Sequence, residues 1–94
     1  MAVVVIAEAS GRKSYEAVDP HLNLAGDLPN GLIVHTASEM PDGTVRIVNV
    51  WQSRADLEAF RRTRLFPAFD TAGIRAETET GPRPTYLETF HYVG

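Results

Sequence analysis

The sequence predicts an α+β domain with the ferredoxin-like order βαββαβ, in which two helices cover one face of a four-stranded antiparallel sheet. Three observations predict this fold class. Four segments are rich in β-branched or aromatic residues, two segments between them fit helices, and a turn signal joins the two middle strands. Residues 1–94 are short enough for a single domain.

The first strand and the first helix are predicted from the amino-terminal third of the chain. Ala2–Ala7 is a β-branched run typical of a buried strand. Tyr15, Val18 and Leu22 follow at intervals of three and four residues, which favours one face of a helix. Pro20 lacks a backbone donor and disfavours helix at the residue before it. We therefore expect this helix to be short, broken or restarted.

A hairpin is predicted in the middle of the chain. Leu32–Ser38 and Thr44–Trp51 are strand-like, and Pro41-Asp42-Gly43 stands between them. Proline favours the first position of a type I turn, aspartate suits the next, and glycine accepts the left-handed conformation that follows. This is the signature of a three-residue hairpin loop. Met40 should therefore pair with Thr44, and the strands should be antiparallel neighbours.

The second helix and the last strand complete the predicted order. Ser53 followed by Asp56 resembles a capping box and marks the beginning of a helix. Pro67 is expected to interrupt that helix and to start a separate turn that ends near Gly73. Thr85–Val93 contains aromatic and β-branched residues and is predicted to be the last strand.

The hairpin register predicts which side chains share a face, because neighbours along a strand point to opposite sides. His35 should lie opposite Asn49, and Ile33 opposite Trp51. The first predicted face is mixed: Ile33, His35, Ala37, Ile47, Asn49 and Trp51. The second is more aliphatic: Leu32, Val34, Thr36, Arg46, Val48 and Val50.

The mixed face is the predicted site, whereas the aliphatic face is expected to pack against the helices. Apolar walls with a few placed polar groups are the usual lining of a small-molecule pocket. Asn49 is notable because asparagine is disfavoured in strands and a buried amide needs several partners. A histidine here is often only a packing residue, so a structural role for His35 stays open.

Composition argues against several classes of protein. The net charge of −3 and the pI near 5.5 disfavour nucleic-acid binding. The initial apolar run falls far short of the ~20 residues of a membrane helix and lacks the flanks of a signal peptide. We expect a cytoplasmic protein without membrane contact.

The charged and metal-binding candidates are weak. Without cysteine there is no disulfide framework, and His21, His35 and His91 are too scattered for a metal site, so none is expected. Arg61, Arg62 and Arg64 are interpreted as a solvated helix face that pairs with Glu58 and nearby acids. A role of this cluster in binding an anionic substrate is the less favoured alternative.

The chain also resembles a known family. The resemblance is carried by GLIVHTA at 31–37, the Asp42-Gly43 turn, VNVWQS at 48–53 and RLFPAF at 64–69 running to Gly73, with YEAV at 15–18 fitting the first helix. These segments resemble small actinobacterial-type proteins of the dimeric α+β barrel superfamily, which includes the antibiotic biosynthesis monooxygenases. The resemblance implies a homodimer of ferredoxin-like subunits. It also implies oxidation of a small aromatic or polyketide-like substrate by molecular oxygen without a cofactor.

The resemblance suggests roles for the hairpin residues. His35 would be the base, Asn49 would hydrogen-bond the substrate oxyanion, and Trp51 would stack on a planar ring. Five further residues are expected to contact the substrate: Ile33, Ile47, Phe60, Phe66 and Tyr86.

One departure from the family and two alternatives remain at this point. Many relatives carry a histidine in the second helix, where this chain has Phe60 or Arg61, and that histidine is the iron ligand of the haem-degrading members. Its absence argues against haem and weakens the monooxygenase assignment. The alternatives are a non-catalytic ligand-binding or structural homodimer, and a cyclase or isomerase that uses His35 as base.

Overall fold

The computed structural model describes residues 1–93, so Gly94 of the predicted domain lies outside the described residues. Within them, four strands form one sheet and the remaining regular structure is helical. The strands are β1 (Ala2–Ala9), β2 (Leu32–Glu39), β3 (Val45–Trp51) and β4 (Thr85–Thr89). The α-helices are α1 (Arg12–Leu22), α2 (Arg54–Phe60), α3 (Phe66–Ala72) and α4 (Arg75–Thr80), with a π-helical turn at Arg61–Leu65. No helix in residues 1–93 is long and apolar enough to cross a membrane.

The sheet confirms the predicted fold class. Its strand order is β2-β3-β1-β4, and every neighbouring pair is antiparallel. The β-branched run of β1 lies at the centre, where Val3 and Val5 are buried. Four antiparallel strands in this order, with the helices packed on one face, form the ferredoxin-like α+β fold.

The first helix is continuous, contrary to the expected break at Pro20. Pro20 lies in the last turn of α1, where its missing donor removes only one hydrogen bond near the helix end. The helix then ends at Asn23, which adopts the left-handed conformation with φ of 50°. The Asn23 N–H donates to the Asp19 carbonyl over 3.0 Å and closes the helix.

The second helical region also differs from the prediction around Pro67. Ser53 caps α2 as predicted, accepting the Asp56 N–H over 3.1 Å. The chain then stays helical through the π-helical turn and α3, because Pro67 occupies the first turn of α3, where a proline is tolerated. Gly73 ends α3 with φ of 75°. The sequence did not predict α4. The predicted last strand, Thr85–Val93, was longer than β4, which ends at Thr89.

The core shows that the helices cover the mixed face of the hairpin, so the prediction for the aliphatic face was wrong. Trp51 of the mixed face packs with Val3, Val5 and Leu57 in one buried cluster. Leu32, predicted for the aliphatic face, joins this cluster because a bulge between Leu32 and Val34 shifts the register. A second cluster joins α1 to α3 through three buried residues, Val18, Leu22 and Ala68. The mixed face can be buried because its polar groups find partners, as the site geometry shows. Val50, a buried residue of the aliphatic face, belongs to neither cluster, and within residues 1–93 no helix packs over that face.

Candidate functional site

The hairpin places the candidate residues in nearly the predicted register. The Met40 N–H donates to the Thr44 carbonyl over 2.7 Å, and Gly43 has φ of 89°, as the three-residue loop requires. His35 lies opposite Asn49. Further along, the pairing shifts between Leu32 and Val34, so Leu32 rather than Ile33 lies opposite Trp51. The predicted Ile33–Trp51 pair was therefore wrong. A bulge places one extra residue in β2, and this shifts the pairing of the residues beyond it by one position.

A tyrosine from the first helix holds His35. The Tyr15 hydroxyl and the His35 Nε2 are 2.8 Å apart, and the two rings lie nearly parallel with centroids 6.3 Å apart. Burial lowers the pKa of His35 below its ordinary 6.5, although the nearby Asp19 carboxylate opposes this shift. Burial, reinforced by Asp19, raises the pKa of Tyr15 above 10.0. At neutral pH, both side chains are therefore uncharged.

Asn49 and Trp51 bind each other inside the core. The Trp51 Nε1–H donates to the Asn49 Oδ1 over 2.7 Å. The Trp51 side chain is only 1% exposed, and its ring packs against Phe60 with centroids 4.9 Å apart. Asn49 also lies beside Val5 of the neighbouring strand. Together, these contacts give the asparagine a structural partner and leave its amide NH₂ as the group able to donate elsewhere.

Two open depressions flank the Tyr15–His35 pair. One, of about 320 Å³, is mainly apolar and lies between β2 and the segment that follows α1. Its lining is Asp19, Leu24, Ala25, Leu28, Leu32, Ile33, Val34 and His35. The other, of about 330 Å³, is more polar and is lined by Arg12, Tyr15, Glu16, Asp19, Ala37, Ser38, Glu39 and Val45. We refer to them below as the apolar and the polar depression.

The apolar depression gathers only part of the predicted site. His35 and Ile33 line it, whereas Asn49 and Trp51 do not, and Trp51 belongs to the buried core cluster. Phe60 packs on Trp51, and Ile47 lies beside Ala7 and Ala37 in the sheet.

The two remaining substrate candidates contact arginines. The guanidinium groups of Arg61 and Arg75 lie over the Phe66 ring, at 5.2 Å and 4.6 Å from its centroid. Tyr86 lies under Arg54 and Arg61, each at 5.2 Å. Both therefore belong to a surface cluster of arginines and aromatic rings rather than to either depression.

Sequence reasoning missed Tyr15 and Asp19 as site residues. Tyr15 was assigned only to the apolar face of the first helix, and Asp19 was read only through its proline neighbour. Their spacing of four residues, which places them on the same side of a helix, was the available signal. Which strand residue they would face could not be read from the helix alone.

The helical region expected to carry a haem ligand, Arg54–Ala72, lacks a histidine. Phe60, at or next to the expected position, is packed against Trp51. Within residues 1–93, no group of three histidine or acidic side chains is arranged to hold a metal ion.

Solved structures with this fold are numerous, although no protein-family model and no curated protein matches the chain. Rv0793 from Mycobacterium tuberculosis is 20% identical over 100% of both chains, with a TM-score of 0.71. A candidate antibiotic biosynthesis monooxygenase from Deinococcus radiodurans is 16% identical, with a TM-score of 0.68, over 100% of this chain and 97% of its own. The haem degrader MhuD from M. tuberculosis, solved with two haems in its active site, is 22% identical over 100% of both chains, with a TM-score of 0.60.

These likenesses extend over the whole length of the chain and of the compared structures. They agree with the strand order and with the helices packed on one sheet face. The chain has the ferredoxin-like α+β fold of these solved structures, among which are candidate antibiotic biosynthesis monooxygenases.

Proposed function

We propose that the protein is a cofactor-independent monooxygenase-like enzyme acting on a small aromatic or polyketide-like substrate. The observation that carries the proposal is His35, a neutral and half-buried imidazole on the wall of an apolar depression. Six of the eight lining residues are aliphatic, which suits an uncharged ring system better than a sugar or a phosphate. The fold shared with candidate monooxygenases supports the same assignment.

The proposed chemistry is the oxidation of an activated ring methylene to a carbonyl. His35 takes a proton from the phenolic or anthrone-like substrate, and the resulting anion passes an electron to oxygen. The two radicals then combine in a carbon–oxygen bond, and loss of water leaves the carbonyl. One oxygen atom ends in the product and the other in water, so the substrate supplies all the electrons. The protein contributes the base, the orientation and a partly dry surface.

Asn49 and Trp51 take a supporting part in this proposal. Asn49 lies across from His35, and its amide NH₂ remains as a donor for a substrate oxyanion. Trp51 is too buried to stack on a ligand in the apolar depression as the structure stands. We therefore propose that it acts by orienting Asn49, and we assign ring contacts to Ile33, Leu24 and Leu28.

The first test measures oxygen consumption with a 1,8-dihydroxyanthrone substrate and follows the quinone product by absorbance. His35→Ala should lower kcat/KM by about 100-fold or more, the usual loss when a general base is removed. The matched control is His21→Ala, because His21 is exposed on α1 and lines neither depression. His21→Ala should keep the wild-type thermal transition, and His35→Ala should stay folded at the assay temperature although it loses the hydrogen bond to Tyr15.

The pH dependence gives a second arm of the same test. A histidine base works when it is unprotonated, and the pKa of His35 is lowered from 6.5. Activity should therefore persist below pH 6.5 and fall only when the pH drops through the lowered pKa. No oxygen uptake across a panel of anthrones and phenols would overturn the monooxygenase proposal. Turnover of substrate without oxygen uptake would assign a cyclase or isomerase instead.

We also propose that the protein is a homodimer assembled through the uncovered sheet face. Val34, Val50, Val4 and Leu87 are successive partners in one row across that face. Val34 and Leu87 at its two ends are 45% and 50% exposed. A sheet face with this many aliphatic groups and no helix over it favours a partner. A second copy of the chain presents the same aliphatic row, so the two uncovered faces can pack against each other.

A further inference from the structure

We propose that α1 supplies half of the acid–base unit, with Tyr15 and Asp19 as positioning residues for His35. Tyr15 fixes the orientation of the imidazole, and Asp19 stabilises the imidazolium that forms when His35 takes a proton. This inference rests on the proposed use of His35 as a base. It adds Tyr15 and Asp19, which lie on α1 and not on the hairpin, and it gives each of them a separate role.

The contact between Tyr15 and His35 is the first support. The 2.8 Å distance from the Tyr15 hydroxyl to the His35 Nε2 is that of a good hydrogen bond. His35 stands on β2, an edge strand, where a side chain has fewer neighbours to hold it in one rotamer. Tyr15 is anchored differently, by its place in an 11-residue helix that packs on α3. The Tyr15 hydroxyl therefore restrains the His35 imidazole through a hydrogen bond to a side chain that is anchored in a helix.

The position of Asp19 is the second support. Asp19 follows Tyr15 by one helical turn and lines both depressions, so its carboxylate lies beside the pair. Its charge favours the protonated imidazole, acting against burial. A base whose conjugate acid is stabilised in this way removes a proton more easily from a weakly acidic phenol or carbon acid.

The other charged groups near the pair belong to the polar depression. Arg12, Glu16 and Glu39 line it together with Asp19. Arg12 and Glu16 form an ion pair of 2.9 Å, so their charges largely cancel toward His35. From β3, the neighbour across from His35 is the uncharged Asn49. Asp19 is therefore the carboxylate on α1 that is shared by both depressions and not engaged by Arg12.

The same arrangement suggests how the pair separates two environments. His35 lines the apolar depression and Tyr15 lines the polar one, and their hydrogen bond joins the two walls. A substrate bound against His35 is thus kept apart from the charged groups around Arg12. Asp19 at the rim would also disfavour substrates that carry a fixed negative charge, such as carboxylates.

The experiment is an NMR titration of the full-length protein labelled with ¹⁵N-histidine. The chain has three histidines, and the exposed His21 and His91 serve as internal references. In Tyr15→Phe, the His35 ring-nitrogen shifts at pH 8 should move toward those of an unrestrained mixture of tautomers. In Asp19→Asn, the His35 titration midpoint should fall by roughly 0.3–1 pH unit, since a nearby opposite charge is lost. The matched control, Asp27→Asn, removes an exposed carboxylate that lines neither depression, and it should shift the midpoint far less.

Kinetics supply the second readout. Asp19→Asn should move the acid limb of the kcat/KM profile to lower pH by the same amount as the NMR midpoint. Tyr15→Phe should lower kcat more than it raises KM. Unchanged His35 nitrogen shifts in Tyr15→Phe, or an unchanged midpoint in Asp19→Asn, would overturn the inference. The NMR titration needs no turnover. If the protein were inactive on every anthrone, the proposed function would be refuted, whereas the titration would still test the positioning roles of Tyr15 and Asp19.

Discussion

At the residue scale, His35, Asn49 and Trp51 on the covered hairpin face each have a hydrogen-bond partner. Asn49 accepts the Trp51 indole N–H, and His35 bonds Tyr15. A buried donor without an acceptor costs free energy, so these bonds allow an asparagine, a tryptophan and a histidine to share the helix-covered face. An asparagine in a strand suggested a specific contact. Its partner proved to be two residues away on the same strand.

The Asn49–Trp51 bond can be measured by a double-mutant cycle. Asn49→Ala leaves the Trp51 Nε1–H buried without its acceptor, so the free energy of unfolding should fall by about 1–3 kcal/mol. Trp51→Phe removes the donor together with packing against Phe60. Urea denaturation should show that the double variant loses less than the two single variants added together. Strict additivity would contradict the coupling.

At the element scale, an arginine ties the helices together. Arg64 donates to the Leu22 carbonyl at the carboxyl end of α1 and lies over the Phe60 ring at 5.8 Å. Cations are favoured at this end of a helix, where carbonyls lack partners. Arg61 instead pairs with Glu58 over 3.5 Å, as the sequence suggested for the cluster. The π-helical turn thus carries one arginine toward α1 and another toward β4.

Removing Arg64 should loosen the contact between α1 and the following helices. Arg64→Ala is expected to lower the free energy of unfolding by about 1–2 kcal/mol, through the lost hydrogen bond and helix-end charge. Arg62→Ala is the matched control, because Arg62 lies in the same turn but is exposed, and it should change stability by less than about 0.5 kcal/mol. Equal effects in urea denaturation would show that Arg64 has no special role.

At the scale of the whole molecule, the sheet divides into a covered and an uncovered face. The covered face carries the site, and the uncovered face carries the valine and leucine row proposed as the dimer contact. The Arg46–Glu8 ion pair of 3.4 Å lies on the same uncovered face and is separated from this row by the Val48–Ile6 pair. A chain of this size buries a limited fraction of its surface, so association would contribute to stability. The cytoplasmic location stays a prediction from the sequence.

The dimer is tested by sedimentation at micromolar concentration. Wild-type protein should sediment as a dimer, whereas Val34→Asp and Leu87→Asp together should yield a folded monomer, because two charges per subunit would be buried at the contact. Ala17→Asp on the exposed side of α1 is the control and should stay dimeric. A wild-type monomer under these conditions would refute the proposed assembly.

The sequence by itself determined the order of the four strands, the beginnings of the first two helices between them and the hairpin register near its loop. Pro41-Asp42-Gly43 encodes its turn locally, so the pairing of His35 with Asn49 followed from residues close in the chain. Only the tertiary structure decided which hairpin face the helices cover, because both faces were apolar enough to be buried. It also decided that Tyr15 and Asp19 meet His35, a contact made across 20 residues for Tyr15. Helix packing on a sheet depends on all the elements together, and alternation along one hairpin does not encode it.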